Sequence, residues 1–171
     1  AKRNPNGEVF MKNRETDEWL AQNIRSTRNF IRKWGHFVKH DEYLKPIVPP
    51  KYDIGLVIKN CSEQLLESLE PWCSTIYVDT FAEDYIDREQ PNTDFDLTKR
   101  IYSIDAEKQN DIEVRFDGNK LTQDAFEIIT NLSEILSNDE KLETGTFELG
   151  MLGIKINKIK TYEGDLIKCI R

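Results

Sequence analysis

Two carboxylates spaced as Asp94-Phe95-Asp96 are the form in which acidic side chains share a divalent ion that bridges a diphosphate. Asp79 has a different setting. It ends the run Thr75–Asp79, and the ends of strands are where an open α/β sheet presents ligand residues. Arg25, Arg28 and Arg32 recur at three- and four-residue steps, so on a helix they share a face. That face is either solvated and paired with nearby acids or a contact for phosphate or another acidic surface. His36 and His40 stand four apart with Asp41 next, the helical spacing of two metal ligands, but Gly35 breaks a helix just before them. Against the metal reading of Asp94 and Asp96 stands a simple count. The chain has 31 acidic residues, and no apolar strand precedes this pair to fix its geometry.

The elements that must position these groups are readable in order. Thr16 or Asp17 caps a helix through Trp19, Leu20, Ile24, Ile31 and Trp34, which Gly35 ends. Lys45-Pro46-Ile47-Val48-Pro49-Pro50 predicts a stiff, extended linker. Ile54–Ile58 reads as a strand buried on both faces. Ser62 caps a short helix presenting Leu65, Leu66 and Leu69, Pro71 stops it, and Thr75–Asp79 is a second strand. The order strand, helix, strand predicts a parallel βαβ unit. Its first turn, Lys59-Asn60-Cys61, lacks the glycines of a dinucleotide fingerprint, so Asp79 is expected to cap the next segment of the chain.

Further on, a helical turn is expected at Ala82–Ile86, a weak strand at Arg100–Asp105 and a clearer one at Ile112–Phe116, then an Asp117-Gly118 turn. Thr122 caps one long helix whose stripe is Ala125, Phe126, Ile129, Leu132, Ser133 and Leu136. Thr146–Leu149 and Ile154–Ile159 predict a hairpin around Gly150-Met151-Leu152-Gly153. Short strands are expected at Val9–Met11 and Leu166–Ile170. The fold class is α/β: a mixed, partly parallel sheet with a βαβ unit, one long amphipathic helix and a C-terminal antiparallel hairpin, preceded by a basic helical leader.

Charge divides the chain. Residues 1–51 carry 11 Lys/Arg against 6 Asp/Glu, and residues 52–171 carry 13 against 25. A basic arm, helix and proline linker over 1–50 thus precedes an acidic α/β domain over 51–171. The acidic body argues against nucleic-acid binding, which needs a broad basic surface. No apolar run approaches the ~20 residues of a membrane helix. Three cysteines without zinc spacing read as free thiols in a reducing, cytoplasmic setting.

The leader resembles a known segment. Asn23-Ile24-Arg25-Ser26-Thr27-Arg28-Asn29-Phe30-Ile31-Arg32-Lys33-Trp34-Gly35 is similar to the stretch that closes many family-2-type glycosyltransferase domains of the GT-A fold, through Phe30 and Lys33-Trp34-Gly35. The resemblance spans about 35 residues and implies the C-terminal part of a nucleotide-sugar-dependent glycosyltransferase with an appended α/β domain. Such enzymes carry an Asp-x-Asp upstream of the Lys-Trp-Gly, whereas Asp94 and Asp96 lie downstream of it. The expectation is an accessory domain, inactive alone, whose partner is the rest of the parent enzyme and whose Mn²⁺ or Mg²⁺ dependence comes only from the resemblance. The alternatives are a free-standing module that binds an acidic protein through its basic helix, and a small metal-dependent enzyme using Asp79, Asp94 and Asp96.

Overall fold

The computed structural model describes residues 16–159; the strands expected at Val9–Met11 and Leu166–Ile170 lie outside these. Helix α1 (Asp17–Trp34) starts and stops where its signals stand. The Thr16 hydroxyl accepts the Trp19 N–H at 3.2 Å. Asp17 and Glu18 occupy the first turn and Arg32 and Lys33 the last, each matching the helix dipole. Gly35 adopts φ 77°, a left-handed cap that closes the helix through its N–H to the Ile31 carbonyl. The first half of α1 is exposed, and burial begins at Ile31 and Arg32.

The expected linker is more structured than its prolines suggest. Strands β1 (Lys39–His40) and β2 (Pro46–Ile47) pair antiparallel. The Asp41 carboxylate accepts the N–H groups of Tyr43 at 2.9 Å and Lys45 at 2.8 Å, and this local turn brings the two pieces together.

The body is one mixed sheet. Its strands are β3 (Ile54–Lys59), β4 (Thr75–Val78), β5 (Ile101–Ser103), β6 (Ile112–Asp117), β7 (Gly145–Leu149) and β8 (Leu152–Ile156). Across the sheet they run β5-β4-β3-β6-β8-β7. β5, β4, β3 and β6 are parallel; β8 runs antiparallel to β6, and β7 to β8. Ile54 to Ile58 are all buried, so the continuous apolar run is the central strand β3. The hairpin turn is tighter than expected. Leu149 faces Leu152 across Gly150-Met151, so β8 begins two residues early and ends at Ile156.

Four short helices cover the sheet: α2 (Glu63–Leu69), α3 (Glu83–Glu89), α4 (Gln123–Thr130) and α5 (Leu132–Ser137). Ser62 and Thr122 cap α2 and α4 as expected. The expected single helix after Thr122 is broken at Asn131, where φ −110° and ψ 10° leave the helical region. The Glu127 carbonyl accepts both the Asn131 N–H, at 3.1 Å, and the Asn131 side-chain amide, at 2.9 Å, a local bond that asparagine offers readily at a helix end. The stripe survives the break: Ala125, Ile129, Leu132, Ser133 and Leu136 are all buried.

A buried glutamate ties α1 to this body. Glu70 opens the 3-10 turn Glu70–Trp72 just before β4 and has no exposed surface. Arg32 reaches its carboxylate at 2.7 and 3.0 Å, Arg100 at 2.7 Å, and the Tyr85 hydroxyl donates to it at 3.0 Å. Arg100 also donates to the carbonyls of Glu70 at 3.0 Å and Cys73 at 2.7 Å. Arg28 completes the network through Tyr85 at 2.6 Å and Glu89 at 2.8 Å. Burial alone would raise the Glu70 pKa, but the charges of Arg100 and Arg32 outweigh it and hold the carboxyl down at about 2.

Truncating Glu70 leaves the buried Arg100 guanidinium without its carboxylate and Arg32 with Glu89 alone. Glu70→Ala is expected to cost about 3–5 kcal/mol in urea unfolding at neutral pH. The pH dependence has a definite sign. The unfolded carboxyl titrates near 4.5 and the folded one near 2, so Glu70's contribution is complete above 4.5 and lost as pH falls toward 2. Its size is on the order of 3 kcal/mol. Urea midpoints of the wild type and Glu70→Gln, measured from pH 6 to pH 3, should converge on acidification. Parallel curves would contradict the network's role.

Candidate ligand-binding crevice

An open parallel sheet leaves a crevice at the carboxyl ends of its strands, where successive connections leave in opposite directions. Here that point is the end of β3, with β4 on one side and β6 on the other. The chain turns sharply at Asn60, which takes φ 53°, and Asp79 at the end of β4 braces the turn. One Asp79 oxygen accepts the Asn60 N–H at 2.6 Å and the other the Cys61 N–H at 3.0 Å. On the other side, the Asn60 amide donates to Asp117 at 2.9 Å, and the same oxygen accepts the Asn119 N–H at 3.1 Å. Gly118 allows this close approach: a Cβ there would lie 2.8 Å from both the Asn60 carbonyl oxygen and Leu65 Cδ2. Asn60 thus joins the ends of β3, β4 and β6 into one rim.

The rim carries both signs of charge. Hydrogen bonds from the N–H groups of Cys61 and Asn60, with Lys59 nearby, hold the Asp79 carboxyl below its ordinary range. Asp117 is lowered by the Asn60 side chain and the Asn119 N–H, with Lys120 and Lys59 adding to it. Both are therefore ionised at neutral pH, and the exposed Lys59 and Lys120 lie near them, Lys120 at 4.0 Å from Asp117. Beside it, at the ends of β4 and β5, opens a cleft of about 330 Å³ lined by Asp79, Phe81, Glu83, Tyr102 and Asp105 among others. Phe81 is 72% exposed and makes no ring contact among the described residues. The crevice can thus offer cations to an anion at the switch point. Beside them lie carboxylate acceptors and the Phe81 ring for a neutral, hydroxyl- and N–H-bearing group.

The residues singled out in the sequence do not converge here, apart from Asp79. Asp79 braces the preceding turn and does not cap the next segment; α3 begins after Ala82 with no side-chain cap. Arg28 and Arg32 turn into the body, toward Glu89 and Glu70, while Arg25 stays exposed on α1. Asp96 accepts the Thr98 N–H at 3.1 Å and pairs with Lys99 at 3.0 Å, so it caps a 3-10 turn (Leu97–Lys99), while Asp94 lines a groove against α1. Among the described residues, no group of three or more His, Cys, Asp or Glu could hold a metal ion. His36 is buried beneath Phe30 and His40 lies exposed in β1, so they too are separated. Cys61 and Cys73 are buried free thiols, and burial pushes both up to about 12.

Asn60, Asp117, Lys59 and Lys120 were not singled out in the sequence. A signal existed: Asp117 ends an apolar strand just as Asp79 does. Only the strand order shows that the two ends face each other. Compared with family models, with curated proteins and with solved structures, the chain matches none. Among the described residues no helix is long and apolar enough to cross a membrane.

Two measurements check this geometry. In Asp79→Ala the Asn60 and Cys61 amides should exchange with solvent about tenfold faster or more, because each loses a charge-assisted bond; unchanged exchange would contradict the brace. Iodoacetamide at pH 8 should leave Cys61 and Cys73 unmodified in the folded protein and label both in urea. Labelling of either in the folded state would contradict its burial.

Proposed function

We propose that this chain belongs to a nucleotide-sugar-dependent glycosyltransferase, as its C-terminal part, and that its α/β body contributes a nucleotide-sugar-binding crevice. The observation that carries the reading is the switch-point rim of Asn60, Asp79 and Asp117, opening onto the aromatic and acidic cleft. A nucleotide sugar has a dianionic bridge between two neutral ends rich in N–H and O–H groups. Lys59 and Lys120 suit the bridge as exposed point charges. Phe81 offers a stacking face, and Glu83 and Asp105 accept from hydroxyls. The Phe30 and Lys33-Trp34-Gly35 stretch supports the same reading from the sequence, and it packs on this body through Arg32 and Glu70. No general base is assembled at the rim, since both its carboxylates are lowered and already accept hydrogen bonds. The role is therefore to bind and position, as an accessory domain that is not active alone. No metal ligand is assigned: Asp96 is already engaged by Thr98 and Lys99. The resemblance would bring Mn²⁺ or Mg²⁺ with the diphosphate rather than in a protein cage.

The test is a calorimetric titration with a panel of uridine and guanosine diphosphate sugars, with and without Mn²⁺. At least one should bind saturably, and Lys59→Ala with Lys120→Ala should weaken it about tenfold. The absence of binding by every member, with and without Mn²⁺, would overturn the proposal.

A further inference from the structure

A second groove lies at the other end of the sheet. α3 leaves the crevice, runs back along the sheet, and leads into the 3-10 turn Gln90–Asn92 and a loop to β5. Between that loop and α1 opens a groove of about 390 Å³, a size typical of small-molecule clefts. One wall is α1, with Arg25, Asn29 and Lys33 at successive four-residue steps. The other carries Pro91, Asp94 and Phe95.

We infer that this groove binds an acidic oligosaccharide, a chain of sugars in which charged and neutral units alternate. Arg25 and Lys33 are both exposed, and neither makes an ion pair among the described residues; Lys33 lies only over the Trp34 ring, at 5.1 Å. Their eight-residue separation is about 12 Å along the helix axis. One phosphate does not span that distance, whereas an extended chain with acids at intervals does. Between the two cations the floor is neutral and fixed. Asn29 donates to the Asn92 carbonyl at 2.8 Å and accepts from Arg32 at 3.0 Å, so its amide is already used. A peptide laid here would find few backbone partners, but the C–H faces of a sugar need only the apolar surface of Phe95 and Pro91. Asp94 makes no hydrogen bond or ion pair among the described residues. It suits sugar hydroxyls as an acceptor and opposes a uniform polyanion. The role as acceptor-holding groove rests on the glycosyltransferase reading, whereas the binding itself does not.

The experiment is an amide-resolved NMR titration of the whole chain with four probes. They are a tetrasaccharide alternating glucuronic acid with N-acetylglucosamine, a neutral N-acetylglucosamine tetrasaccharide, inorganic phosphate, and a peptide of aspartate and glutamate. The acidic tetrasaccharide should shift residues 25–33 and 92–95, and Arg25→Ala with Lys33→Ala should weaken it about tenfold or more. Both residues are exposed, so the unliganded spectrum of the double variant should otherwise match the wild type. Equal or tighter binding of the neutral sugar, the phosphate or the peptide would overturn the inference, as would no shift at 92–95. A separate titration with nucleotide sugars reads residues 59–62, 79–83 and 117–120. Failure there sinks the crevice and leaves the groove standing.

Discussion

Glu70 is the group on which the arrangement depends. A carboxylate with no exposed surface survives in a protein interior only when cations and donors enclose it, because desolvation alone costs several kcal/mol. Three separate parts of the chain supply that enclosure: Arg32 from the basic helix, Tyr85 from α3 and Arg100 from the start of β5. Each also has another task. Arg32 reaches Glu89, Tyr85 accepts from Arg28, and Arg100 binds two carbonyls at the entry to β4. The carboxylate therefore fixes where the helix docks as well as how the strands begin.

That location has a functional consequence. The 3-10 turn bearing Glu70 precedes β4 and Arg100 precedes β5, so α1 packs near the amino-terminal ends of the strands. Lys51 adds to this by donating to the Arg32 and Lys33 carbonyls at the end of the helix. The carboxyl ends are left to the Asn60 rim and its cleft. A parallel sheet has two chemically different ends, and here one is occupied by the leader while the other is free for a ligand. Two of the leader's three aligned arginines neutralise acids of this same chain. Arg25 alone faces outward, and it does so over the second groove.

Much of the fold was legible because its signals are local. The caps at Thr16, Ser62 and Thr122, the stop at Gly35 and the period of the apolar runs each need only a few neighbouring residues, and each is realised. What was not legible depends on contacts distant in sequence. Nothing near Leu69-Glu70-Pro71 says that the glutamate is buried, because its partners lie 30 and 38 residues away. Asp117 looked like an ordinary turn residue until β6 was seen beside β3. The break at Asn131 belongs to a third kind. The apolar stripe continues through it, so periodicity alone cannot register that the Asn131 side chain bonds back to the helix's own Glu127 carbonyl.

The central claim is that helix α1 and the α/β body are one cooperative unit, locked at Glu70. Native-state hydrogen exchange across a low-urea series tests it most directly. The amides of residues 28–34 should exchange with the same free energy and the same urea dependence as those of β3. Exchange of the helix through a separate, lower-energy opening while β3 stays protected would contradict that claim.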